Sequence, residues 1–228
     1  MCDPLISMIE ESQPDMSFVI DFRFMEIEAE LSVTLDHLSA IDRQLPAIQK
    51  SERERLELGL EGLEPDEWHG TLQWIDEFIE DVLPRLHYSP VLVQLWAVFE
   101  SGIIEISKYL QRKEGQSLTV DDLRGNSDYE RAQKYYREVL RFPLIEIEGA
   151  KEQLDLLLVA RNAVAHSNGR IEAIKPAKLE RIRKWEKERG GVLIGQYHVS
   201  FPIGFVKEMA HNVQIVLEDL IKRVKSTY

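Results

Sequence analysis

The stretch LLLVARNAVAHSNG, residues 156–169, limits the fold of this chain more than any other. From Leu156 to Ala165 every position except Arg161 and Asn162 is Leu, Val or Ala. A helix of that composition has no solvent-facing stripe, so it is expected to run through the middle of a helical domain or an interface. At about 100° per residue, Asn162 and His166 share one face, while Arg161 falls on the row of Leu154, Leu157, Leu158 and Ala165. That row predicts a buried guanidinium. An Arg keeps its charge wherever it is placed, so on such a row it must meet a carboxylate, or a phosphate brought by a ligand. Ser167, Asn168 and Gly169 supply the stop, with Gly169 as the expected left-handed residue. His166 then lies in the last turn, where the helix dipole favours a cation.

The rest of the chain also reads as helices. Over residues 17–49 the apolar positions Phe18, Ile20, Phe24, Ile27, Leu31, Leu35, Leu38 and Ile41 recur at threes and fours, which predicts a long amphipathic helix that Pro46 ends or kinks. Residues 51–64 are charged and interrupted by Gly59 and Gly62, as in a linker. A helix starts at Glu64-Pro65-Asp66-Glu67 and is expected to stop at Pro84. Ser89-Pro90 reads as the cap of a second very apolar helix, VLVQLWAVFESGIIEISKYL. In it Glu100 falls beside Phe99 at the edge of the apolar face, where it is the expected partner of Arg161; the alternative is a solvated Glu on the far rim.

Residues 128–140 form a Tyr-rich helix whose Tyr135 and Tyr136 either pack in the core or stack on a base. Residues 176–187 put Leu179, Ile182 and Trp185 inward and Lys178, Arg181 and Lys184 outward. The alternation VLIGQYHVSF predicts a small β-hairpin near 191–202, and residues 203–225 close the chain as an amphipathic helix. The fold class expected is mainly α, a helical bundle with that hairpin. An acidic helical extension covers residues 1–67 and a helical domain residues 68–228.

Charge and motifs exclude several functions. No run approaches the roughly 20 apolar residues that span a bilayer, and MCDPLISMIEES carries acids where a signal peptide carries bases, so a cytoplasmic protein is expected. Cys2 is the only cysteine, which rules out a disulfide framework and a cysteine-rich zinc site. Neither HExxH nor a glycine-rich phosphate loop occurs, so no metal and no cofactor is expected. The net charge of −12 argues against coating nucleic acid by bulk electrostatics. Its distribution is uneven. Residues 1–67 hold 17 Asp or Glu against 5 Lys or Arg, whereas residues 170–189 hold 8 Lys or Arg against 4 Asp or Glu. The second segment follows the polar helix directly and suggests a local anion site.

Arg161, Asn162 and His166, as Arg-Asn-x-x-x-His at the end of an apolar helix, resemble the motif of the HEPN superfamily, with four residues between Arg and His and a polar residue after the Arg. The resemblance covers residues 89–228. It implies a HEPN-like helical bundle and a metal-independent endoribonuclease in which His166 moves protons, Arg161 holds the scissile phosphate and Asn162 orients His166 or the phosphate. An acidic residue on the packed helix, in the position of Glu100, supports the Arg in that family. The basic residues Arg170, Lys178, Arg181 and Lys184 are then candidate RNA contacts. Family members commonly act as homodimers, and many are toxins or antiphage components restrained by an inhibitory protein partner. The rival expectation is a non-catalytic binding or scaffold module in which Arg161, Asn162 and Glu100 are a structural polar network.

Overall fold

The computed structural model describes residues 22–228; the expected helix start at residues 17–21 lies outside them. Helix α1 (Arg23–Glu57) buries Phe24, Ile27, Leu31 and Leu38 of the positions its apolar spacing selects, with Leu45 farther on, and leaves Leu35 and Ile41 half-buried. It runs through Pro46 rather than ending there. Pro46 is exposed, so the carbonyl one turn back that it deprives of a donor is left to water. The expected linker at 51–64 shrinks accordingly, to a short 3-10 turn at Leu58–Leu60 and the loop after it.

A second correction concerns Pro84 and Ser89-Pro90, which are neither a stop nor a start. Helix α2 (Pro65–Glu77), a π turn at Phe78–Val82 and helix α3 (Leu83–Glu114) form one continuous rod. In the π turn the Leu83 N–H reaches back to the Phe78 carbonyl. This wider turn, placed just before Pro84, eases the clash between a proline ring and the preceding turn that would otherwise break the rod. By length and composition the rod holds a window able to cross a membrane, with mean hydropathy 1.3, but 56% of that window is buried within the bundle. The apolar run is core.

Helix α3 is the axis of the bundle and packs on α1, on α5 (Ala150–Ser167) and on α7 (Ile203–Thr227). Leu92, Leu95, Phe99, Ile103, Ile106 and Leu110 have no exposed surface. Close approach is possible because Gly102 is small: a Cβ there would lie 3.3 Å from both Ile27 of α1 and Leu217 of α7. Helix α4 (Asp128–Lys134), capped by the Ser127 hydroxyl, closes one end of the core. Its Tyr129 ring meets Trp96 at 5.1 Å and Phe99 at 5.7 Å. Tyr135 and Tyr136 are fully buried, their hydroxyls donating to the Leu118 and Ile103 carbonyls, each at 2.8 Å. They pack and do not present a stacking surface.

Helix α6 (Pro176–Arg189) lies against α5 and buries Leu179, Ile182 and Trp185. The expected hairpin follows, with β1 (Leu193–Ile194) antiparallel to β2 (Val199–Ser200), pairing Leu193 with Ser200 and Ile194 with Val199. The architecture is therefore a mainly α bundle carrying one small hairpin.

Candidate functional site

Helix α5 is buried over its first turns and open at its end. Leu154, Leu157, Ala160 and Ala163 are buried, Leu158, Arg161 and Asn162 are half-buried, and Ala165 and His166 are exposed. The expected absence of a solvent face thus holds only for the part that α3 and α7 cover. The stop is as expected in kind but begins one residue earlier: Asn168 is already left-handed at φ 48°, and Gly169 follows at φ 75°. The Asn168 N–H donates to the Val164 carbonyl at 2.8 Å and the Gly169 N–H to the Ala163 carbonyl at 3.0 Å, closing the last turn.

Arg161 has no carboxylate within 4.0 Å among the described residues. One of its amino groups donates to Asn162 Oδ1 at 3.0 Å, and its Nε is buried without a partner. Asn162, expected to orient His166 or the phosphate, holds the guanidinium instead. The expected Glu100 ion pair is not formed. Glu100 Oε1 instead accepts the Tyr129 N–H at 3.1 Å and so supports the start of α4.

The reason is axial register. Arg85 on α3 donates to the carbonyl of Asn168 at 2.9 Å, and Tyr129, packed on Trp96 and Phe99 farther along α3, feels the charge of Asp155 near the start of α5, so α3 and α5 run antiparallel. Glu100 lies about 22 Å along α3 from that contact and Arg161 only about 10 Å along α5, at 1.5 Å per residue. Glu100 is level with the first turns of α5, well past Arg161.

The basic residues divide into two groups. Arg181 and Lys184 line a groove of about 330 Å³ between α5 and α6, together with Glu152, Asp155, Glu188 and Arg189. Lys184 lies 3.9 Å from Glu188, and Arg189 4.0 Å from Glu152. That groove is mixed in sign and lies beside the start of α5, about 16 Å along the axis from His166. Lys178 is half-buried at the start of α6. Arg170 sits at the His166 end, three residues beyond α5.

The hairpin docks at the same end. The Val199 N–H donates to the Gly169 carbonyl at 2.8 Å and the Ile171 N–H to the Tyr197 carbonyl at 2.9 Å, and Arg170 bridges to His198. A Cβ on Gly169 would stand 2.6 Å from the Val199 carbonyl oxygen, so only glycine permits this approach. Docking brings in residues that the motif does not include. Ser200 donates to Asp81 Oδ1 at 3.0 Å. His198 is held below the ordinary imidazole range by burial first, then by Arg85 and Arg170, against the opposing pull of Asp81 and Glu172. The alternation of VLIGQYHVSF does place His198 and Ser200 on one face, but nothing local to Arg85 marks it as a site residue.

Among the described residues no three His, Cys, Asp or Glu side chains are grouped so as to hold a metal ion. No protein-family model, curated protein or solved structure matches this chain.

Proposed function

We propose that this protein is a metal-independent endoribonuclease of HEPN type that works as a homodimer in the cytoplasm, with Arg161, Asn162 and His166 at its cleft. The observation that carries this reading is the state of Arg161. Its charge meets no carboxylate within 4.0 Å among the described residues, its fork is oriented by Asn162, and it lies on the helix whose last turn exposes His166. A structural network would have closed that charge with Glu100, which is committed to α4. A phosphodiester suits the fork that remains.

In the reaction the RNA 2′-oxygen attacks phosphorus as its proton passes to a base, and the P–O5′ bond breaks as the 5′-oxygen takes a proton. The products are a 2′,3′-cyclic phosphate and a 5′-hydroxyl. Imidazole serves either proton transfer near neutrality, and Arg161 stabilises the charge gathering on the phosphoryl oxygens. His166 is five positions after Arg161 on the helix, which sets them about 140° apart around the axis and about 7.5 Å along it. Two motif helices facing each other bring the Arg of one copy and the His of the other to a single phosphate. The family resemblance adds a biological setting, a toxin or antiphage component restrained by a protein partner.

The test is incubation of the purified chain with total RNA in EDTA, beside His166→Ala. Cleavage that persists in EDTA, leaves cyclic phosphate ends and is absent in the variant is the expected result. Cleavage of DNA, or equal cleavage by His166→Ala, overturns the reading. Light scattering that finds only monomer overturns the shared cleft.

A further inference from the structure

We propose that Arg85, Arg170 and His198 form a second anion subsite at the C-terminal end of α5, and that its ligand is a phosphate of the RNA strand near the one held by Arg161. The proposal rests on the ribonuclease reading for the identity of the strand, and on this end of the fold for the site.

Arg85 is only 7% exposed, yet it has no carboxylate within 4.0 Å among the described residues. Among the described residues its side chain donates to the Asn168 carbonyl alone, and its Nε is buried without an acceptor. Since an arginine does not shed its proton, this is a charge taken out of water and left largely unanswered. The negative end of the α5 dipole offsets part of that cost. It does not satisfy Nε.

The surroundings add positive charge. Arg170 forms no ion pair among the described residues, and its backbone pairs antiparallel with that of His198, which puts the two side chains on one face. Of the two carboxylates facing the imidazole, Asp81 is engaged by the Ser200 hydroxyl, and Glu172 is exposed. Two guanidiniums act on one imidazole and lower its affinity for a proton, and the buried Arg85 Nε has no acceptor. A phosphate supplies several acceptor oxygens and matches the planar fork of Arg.

Position selects the strand as its source. Asn168, whose carbonyl Arg85 holds, comes two residues after His166. Arg161 lies about 10 Å back along the same helix. One extended strand therefore reaches both guanidiniums with phosphates a nucleotide or two apart. The same contact makes Arg85 a cap on α5, so its removal risks unfolding, and the test turns on the exposed Arg170 and on His198.

The experiment uses the full chain and no cleavage. Imidazole titration is followed by NMR as inorganic phosphate replaces chloride at constant ionic strength. The expected result is an upward shift of the His198 titration as an anion joins it, with Arg170→Ala weakening phosphate binding roughly tenfold or more. A 2′-O-methylated oligoribonucleotide, which lacks the attacking hydroxyl, is expected to displace the phosphate and move His198 in the same direction. No response of His198 to phosphate overturns the subsite. Phosphate binding that the oligonucleotide does not displace overturns the strand as its ligand. Failure of RNA cleavage in the separate EDTA assay, with both responses intact, sinks the nuclease reading and leaves the subsite standing.

Discussion

Gly169→Ala tests whether the hairpin is seated on the end of α5 by backbone contact. Gly169 has φ 75°, a left-handed conformation that costs an L-residue about 1–2 kcal/mol. The new methyl would also meet the Val199 carbonyl oxygen at 2.6 Å, and that oxygen belongs to backbone with no flexible side chain to yield. Relief requires the hairpin to move away. The movement endangers the hydrogen bonds from Val199 to Gly169 and from Ile171 to Tyr197, at 2.8 and 2.9 Å. At about 0.5–1.5 kcal/mol each these add to the backbone cost, giving a total of about 2–5 kcal/mol.

The control is Gly115→Ala, which follows α3 at φ 63° with nothing within 4 Å of the new Cβ and so carries the backbone cost alone. Urea denaturation gives both values, and for a chain of this size each kcal/mol lowers Tm by about 2–4 °C. Equal losses in the two variants would refute the close approach, and with it the fixed placement of His198 beside Arg85 and Arg170.

Glu100→Ala is expected to cost about 1–3 kcal/mol in urea denaturation, because it strands the N–H of the buried Tyr129, whereas Glu105→Ala removes only partly exposed contacts to Lys108 and Arg23 and costs about 0–1 kcal/mol. Equal small losses would place Glu100 in solvent. Stability is also expected to fall with acid through His198: its folded pKa lies below the usual value of about 6.5, so in that window the unfolded chain binds the proton that the folded chain refuses, and stability rises with pH. His198→Gln should flatten that part of the stability profile, and an unchanged slope would mean that His198 is not the group responsible.

The helices were legible because their apolar spacing and their burial coincide. Phe24, Ile27 and Leu31, and later Leu92, Leu95 and Phe99, are chosen by period and all are buried. Arg161, Asn162 and His166 stand out for the converse reason, as polar side chains in an apolar run. What sequence spacing does not carry is the level at which two helices meet. Glu100 has a plausible angular position beside Phe99, but its partner depends on the register fixed by Arg85 and Asn168, residues 83 apart in the chain.

Proline hides the remainder. Taking Pro84 as a helix end assigns Arg85 to a connection, where a charged side chain calls for no explanation. The π turn at Phe78–Val82 keeps the rod intact through Pro84, so Arg85 becomes a helical residue with a fixed direction, held against the end of α5 and largely buried. A single misplaced boundary thus turns an unpaired buried charge into an unremarkable surface one. The π turn that permits the continuous helix also contains Asp81, the acceptor for Ser200, so one local departure from α geometry both carries the rod past its proline and anchors the strand that brings His198 to the site.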